Sequence, residues 1–350
     1  MEGTCYADHL KKAPVWYAWH MHVQPLSSED ALLLDDFVGG HFEGSIEQTW
    51  AWGELQTQIP GRPAFRVFGL FEDEKLVGSM LVIRQAMGFG KTWLWAPRGP
   101  LLPDKKADIA WGLLQEACFN WARLHGDVFL RVEPGFLKGE FDLGGKEARE
   151  EYMPSDTLVL DLSLSEADLL AQMAQKGRYN IKQADKHEVV VTRVGAEALP
   201  EFYEVLKETG ARDGFAVHKE AFYEAFLGLP GEKAALYIAR VKGELVGGLL
   251  ATFCGRTATY YFGASAGKHR EAMAPYALQW FAICEAKRAG FKVYDFLGVA
   301  PEGEEGHSLG GVTQFKTRFG GKRVTYEKAR VFVYRRGWWI LYRLAKALRR

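Results

Sequence analysis

The sequence predicts an α+β chain in which one domain-sized unit is used twice, and three observations carry that expectation. Phe65 to Gln85, FRVFGLFEDEKLVGSMLVIRQ, lines up with Leu236 to Arg256, LYIARVKGELVGGLLATFCGR. Each stretch runs on through an aromatic strand, TWLWAPRGP or TATYYFGAS. Each then enters a helical pattern and a closing strand, WARLHGDVFLRVEP or EAKRAGFKVYDFLG. A repeat this long implies two domains, since solenoid modules run to only about 20 to 50 residues.

Within each copy a polar turn, Glu72-Asp73-Glu74-Lys75 or Lys242-Gly243-Glu244, joins two runs rich in β-branched and aromatic residues, the pattern of a long hairpin. The helix that follows has apolar residues at helical spacing: Trp111, Leu114, Cys118 and Trp121 in one copy, Ala277, Leu278, Phe281 and Ala282 in the other. Gly126 and Gly290 stand where a left-handed cap would end each helix. A loop rich in glycine and charge, at 135–155, sets the boundary, giving one domain over 1–155 and a second over 156–350 with a C-terminal helix. The chain has 350 residues, 48% of them apolar, enough for two cores with a cleft between or beside them.

Residues 1–25 mix aromatics and histidines without a period and read as a poorly structured arm; His20 and His22 alone do not define a metal site. Ser45 is a candidate cap for a short helix at Ile46 to Trp50, with Trp50 and Trp52 as packing residues. Cys5, Cys118, Cys254 and Cys284 lack metal-binding spacing and read as reduced thiols of a cytoplasmic protein. Net charge is zero, so attraction to nucleic acid or lipid has to be local. The local exception is Tyr334 to Arg350, YRRGWWILYRLAKALRR, a basic amphipathic helix with no acid. It is either a docked terminal helix or a surface for an anionic membrane or RNA.

Signatures of serine hydrolases, P-loop enzymes, zinc proteases and dinucleotide-binding proteins are missing. Each half resembles the acetyltransferase (GNAT) superfamily, whose coenzyme A pyrophosphate rests on backbone N–H groups opening a helix, written Q/R-x-x-G-x-G/A. Here that stretch reads Arg270-Glu271-Ala272-Met273-Ala274-Pro275, and the first copy offers Asp104-Lys105-Lys106-Ala107-Asp108. Without glycine for close phosphate approach, coenzyme A is disfavoured and no cofactor is expected.

Six further pieces, Gln48-Thr49-Trp50-Ala51-Trp52-Gly53, Arg98-Gly99-Pro100, Arg178-Tyr179-Asn180-Ile181, Ala211-Arg212-Asp213-Gly214-Phe215, Ala274-Pro275-Tyr276-Ala277 and Phe315-Lys316-Thr317-Arg318-Phe319-Gly320, occur in one order from about Ser45 onward. Together they resemble the FemABX family of non-ribosomal peptidyltransferases. That resemblance implies two GNAT-like halves and transfer of an amino acid from aminoacyl-tRNA, as co-substrate, to an amine in the stem peptide of a peptidoglycan precursor. The acceptor is either UDP-MurNAc-pentapeptide or lipid II. It assigns acceptor diphosphate binding to Arg212 and places Phe315 and Lys316 near the ester and RNA terminus, with Lys316 stabilising the oxyanion. Asp104 is the nearest match to an acidic acceptor-site residue and a candidate base, with Asp295 the other. Tyr260, Tyr261, Arg98 and Arg178 complete the candidate substrate contacts.

Two departures stand out: Glu54-Leu55-Gln56 replaces a lysine that follows the first-helix Trp in the family, and Phe262 occupies a family tyrosine position. The 176–187 segment is also too short for the coiled-coil arm of some members. An attacking side-chain amine, with a pKa near roughly 10, must lose a proton before it attacks an activated ester, so no metal or covalent intermediate is required. Two other readings stay open, an acyl-thioester-dependent N-acyltransferase on the same duplicated fold and a non-catalytic envelope-assembly protein. The expected place is the cytoplasm, with peripheral contact at the inner face of the plasma membrane through the terminal helix.

Overall fold

A computed structural model describes residues 21–304 and 306–347, which fall into two units, Met1–Met153 with Tyr326–Arg350 and Pro154–Thr325. His20 and Cys5 lie outside the described residues.

The first unit begins with β1 (Met21–Pro25), α1 (Ala31–Gly40) and α2 (Trp50–Thr57). The strand at Met21–Pro25 corrects the expectation of an arm reaching residue 25: its backbone pairs along the next strand, and His22 stacks on Phe71 at 5.6 Å. The helix cap is also corrected. Ser45 makes no side-chain cap, whereas Thr49 Oγ1 accepts from Trp52 N at 3.3 Å and so starts α2.

The predicted hairpin forms from β2 (Ala64–Glu72) and β3 (Lys75–Gly88), turning through Asp73 at φ 53°. β4 (Lys91–Pro97), α3 (Ala107–His125), β5 (Phe129–Glu133) and β6 (Lys146–Glu147) follow. On α3 the predicted Trp111, Leu114 and Cys118 are buried together with Ala110 and Ala122, while Trp121 is half-buried. Each large side chain removed from water in this way contributes about 2 kcal/mol. Gly126, at φ 76°, ends the helix as expected, and burial pushes the Cys118 thiol up to about 12.

The second unit runs through β7 (Asp156–Asp161), α4 (Glu166–Gln172), α5 (Gln175–Lys186), β8 (Val190–Val194), α6 (Leu199–Asp213) and α7 (Glu220–Leu227). Its hairpin is β9 (Ala234–Val241) and β10 (Glu244–Cys254), turned by Lys242 at φ 50° and Gly243 at φ 84°. β11 (Thr257–Ser265), α8 (Ala274–Arg288), β12 (Val293–Gly298), α9 (Gly310–Lys316) and β13 (Lys322–Thr325) complete it.

The chain then returns to the first unit as β14 (Arg330–Val333) and α10 (Arg336–Ala347). This corrects the domain that ran to residue 350. β14 pairs between β5 and β6, and Phe332, 2% exposed, meets Trp111 edge-on at 5.4 Å.

With that return the two sheets match position for position. One has the order β1-β2-β3-β4-β5-β14-β6, the other, read from its far edge, β8-β9-β10-β11-β12-β7-β13. In both, the fourth and fifth strands run parallel, as a helical crossover requires. Among the described residues no helix is long and apolar enough to cross a membrane, and no group of three or more His, Cys, Asp or Glu is placed to hold a metal ion.

A chain ending at Thr325 is expected to lose the first unit's calorimetric transition, because β5 loses one of its two partner strands and the core loses Phe332. The second unit should keep its own. The opposite pattern would return the C-terminal segment to the second unit.

Candidate active site

The parallel seam is where the two units differ. In the first, β4 and β5 pair from Leu94↔Leu130 to Pro97↔Glu133, so the ladder reaches the ends of both strands. In the second, pairing covers Thr257↔Val293, Ala258↔Tyr294 and Thr259↔Asp295 and stops there, while β11 continues to Ser265 and β12 to Gly298. Backbone groups beyond that point need other partners, and the side chains of the site supply several of them.

Lys316, the last residue of α9, is 5% exposed. Its Nζ donates to Gly298 O at 2.6 Å and lies 5.5 Å from the Tyr260 ring centroid. Burial lowers its pKa to about 8, with the Asp295 charge acting the other way. At neutral pH the group is therefore mostly an ammonium, held in a largely dehydrated place.

The Gly298 carbonyl points at Lys316 because β12 carries a bulge. Asp295 pairs with Val159 and Gly298 with Thr157, so one residue is extra on β12, and Leu297 takes a left-handed φ of 58°. Asp295 holds this shape. Its Oδ1 accepts from Leu297 N at 2.7 Å and from the Thr157 hydroxyl, which also reaches Leu297 O at 2.9 Å. Considered from sequence as a base, Asp295 is engaged in the structure as a buried hydrogen-bond acceptor beneath the site.

A second bulge, between Leu250 and Ala251, sorts the tyrosines. Ala251 pairs with Tyr260 and Leu250 with Phe262, leaving Tyr261 as the extra residue. Tyr260 faces Lys316, and burial pushes its hydroxyl up to about 12, moderated by a hydrogen bond with Gln279. Gln279 also accepts from the Tyr294 hydroxyl at 2.8 Å. Tyr261 and Phe262 instead pack on Phe226, at 5.4 and 5.5 Å. Of the two candidate tyrosines, the structure brings Tyr260 to Lys316 and gives Tyr261 to the α7 cluster.

Arg212, in the last turn of α6, is fixed at the far end of the same strand. It donates to Ser265 O at 2.8 Å and bidentately to Asp213 at 2.8 and 3.0 Å; that pairing raises its pKa and lowers that of Asp213. Tyr260 to Ser265 spans roughly 15 Å of strand, so the two predicted cations lie at the two ends of the part of β11 that leaves β12. Phe315 packs edge-on against Tyr276 and Phe319, at 5.1 and 5.4 Å, and fixes the turn that presents Lys316. Arg178 is used elsewhere: its guanidinium donates to Ala171 O and Met173 O, closing the end of α4.

Arg98 and Asp104 belong to the first unit. Arg98 is 5% exposed, with φ 50° before the cis Gly99-Pro100 bond, and its guanidinium lies 4.1 Å from the Tyr326 ring centroid. Asp104 is exposed near Glu43, which no sequence motif singled out. Burial, then the charges of Glu140 and Asp104, push the Glu43 carboxyl up to about 7. Only the folded surroundings carry that signal.

Two outcomes follow from this geometry. Asp295→Ala should lower stability by about 1 to 3 kcal/mol, the cost of stranding a buried donor, and Asp295→Asn should restore most of it by keeping an acceptor oxygen. Equal melts for the two variants would contradict the role given to that carboxylate. For Glu43 the raised folded pKa means its stabilising contribution is complete below about pH 4.5 and is lost as pH rises through about 7. Glu43→Gln should therefore raise the melting temperature at pH 8 more than at pH 5.

The fold and sequence have relatives. The crystal structure of FemX matches with a TM-score of 0.81 at 17% identity, covering 91% of this chain and 99% of that one. A tandem GNAT protein from the clavulanic acid biosynthesis pathway matches at TM-score 0.52 and 12% identity, over 90% and 98% of the two chains. At such identities these likenesses establish the fold, two tandem GNAT-like units. In sequence the chain is similar to the lipid II:glycine glycyltransferases of Staphylococcus saprophyticus and Staphylococcus haemolyticus, 22% and 21% identical over 82% of this chain and 87% of each relative. The FemAB family profile matches residues 139–244 and 242–327, more than half of the chain. The chain thus belongs to the FemAB family.

Proposed function

We propose that this protein is an aminoacyltransferase of peptidoglycan bridge synthesis, moving an amino acid from an aminoacyl-tRNA ester to a side-chain amine on the stem peptide of a lipid-linked precursor. The observation that carries the reading is Lys316: an ammonium desolvated at the open end of the β11–β12 seam, hydrogen-bonded to Gly298 O and flanked by Tyr260. Positive charge kept from water acts strongly on an oxyanion that forms beside it. When the amine attacks the ester carbonyl, the C–N bond forms, the carbonyl oxygen gains charge, and the ribose oxygen then departs with the electron pair of the broken C–O bond. The proton lost by the amine passes to the departing ribose oxygen, so the products are an amide and a free ribose hydroxyl. Arg212, anchored on Ser265 at the other end of β11, suits an acceptor diphosphate through its planar fork. The staphylococcal relatives are named for a lipid II acceptor, which favours the lipid-linked form over a soluble one.

The turn before α8 supports a donor other than coenzyme A, the usual donor on this fold. Ala272 N, Met273 N and Tyr276 N are bonded to His269 O, Arg270 O and Met273 O, and Pro275 has no N–H. These four positions of the turn therefore offer no free amide to a pyrophosphate.

Transfer is tested by incubating the protein with charged tRNA and lipid-linked or soluble precursor and weighing the products. Product formation should be abolished by RNase, and Lys316→Met should lower turnover by about 100-fold or more, the scale of losing one oxyanion donor. Above about pH 8 the wild-type rate should stop rising with amine deprotonation and fall as Lys316 loses its proton. RNase-resistant transfer from an acyl thioester, or full activity in Lys316→Met, would overturn the proposal.

A further inference from the structure

We propose that α10 and the tip of the β3–β4 hairpin together form a surface that seats this protein on an anionic phospholipid bilayer. A helix docked on a domain needs one apolar side, and α10 has two. Trp339 and Tyr342 pack on Phe129 at 4.7 and 5.5 Å, and Lys346 lies over Tyr152 and pairs with Glu150. At 3.6 residues per turn these three positions share one side of the helix. Ile340, Leu341 and Leu344 fall on the opposite side and are 57%, 56% and 57% exposed.

A second element brings its own apolar group to the same place. Phe89, at φ 52° between Gly88 and Gly90, is 92% exposed and lies 6.5 Å from Trp338, beside which Lys91 Nζ sits at 5.2 Å. The surrounding charge has one sign along the helix: Arg335, Arg336 and Arg343 are spaced through a segment without an acid, in a chain whose net charge is zero. Glu150, the acid paired with the helix, is matched by Lys346.

Exposed aliphatics flanked by cations fit a bilayer interface, which takes the apolar groups among its acyl chains and the cations among its phosphates. Nucleic acid satisfies the arginines and offers nothing to Ile340, Leu341 and Leu344, so the bilayer is favoured. The proposal rests on this surface and not on the transfer reaction, so its failure leaves that reading in place.

The test is flotation of the whole protein with phosphatidylcholine vesicles and with mixed phosphatidylcholine and phosphatidylglycerol vesicles. It should float with the mixed vesicles, less so at high salt. Leu341→Asp or Leu344→Asp should weaken binding by about tenfold or more, and Arg336→Gln or Arg343→Gln by about fivefold. Because these side chains point away from the core, thermal melts should match wild type. Hydrogen exchange on the wild-type protein is the second readout, with α10 amides slowed by mixed vesicles. Absence of flotation, unchanged exchange in α10, or leucine variants that bind as wild type would each overturn the proposal. So would arginine variants that lose tRNA binding without any change in flotation, which would mark a nucleic-acid surface.

Discussion

A lysine ammonium taken out of water has to recover part of its lost hydration, and in this chain the carbonyl of Gly298 provides for it. That carbonyl is available because β12 stops pairing with β11 after Asp295 and because a bulge turns the strand at that point. A regular strand would place its next groups in the ladder, facing a neighbour. The Asp295 carboxylate and the Thr157 hydroxyl hold the backbone at a conformation that leucine rarely adopts, so the polar groups under the site set the direction of the groups within it.

The duplication shows how one scaffold gives two different results. Both units have the same strand order and the same helical crossover, yet the seam of the first is zipped to the ends of its strands and the seam of the second is not. Extra length on β11 makes the difference, leaving Tyr260 at one end of the segment unpaired with β12 and Ser265, with Arg212, at the other. In the first unit the corresponding strand runs directly into Arg98 and the cis Gly99-Pro100 bond, and its distinctive electrostatics lie in loops, at Glu43.

Local patterns named the candidate residues, and what they left open about the placement of each side chain has identifiable causes. Lys316 and Arg212 were identifiable because short motifs around them resemble a known family. The choice between Tyr260 and Tyr261 was not, since strand alternation assumes no bulge and a single extra residue reverses which side chain faces the site. Arg178 was a candidate substrate contact because the piece around it resembles the same family; its bonds to the end of α4 depend on where α4 ends relative to α5. Ser45 and Thr49 are both good caps by type, and helix geometry selected Thr49.

Sequence alone determined the repeat, the two hairpins with their turns, the amphipathic α3 and its glycine cap, and the basic amphipathic character of α10, because each depends on the spacing of residues near one another in the chain. Tertiary structure decided that Arg330–Val333 joins the first sheet, that β11 and β12 part after three pairs, and that Gly298 turns toward Lys316. Those outcomes depend on backbone hydrogen bonds between distant segments. Every residue offers the same donor and acceptor to such a bond, so side-chain pattern alone leaves the partner unspecified.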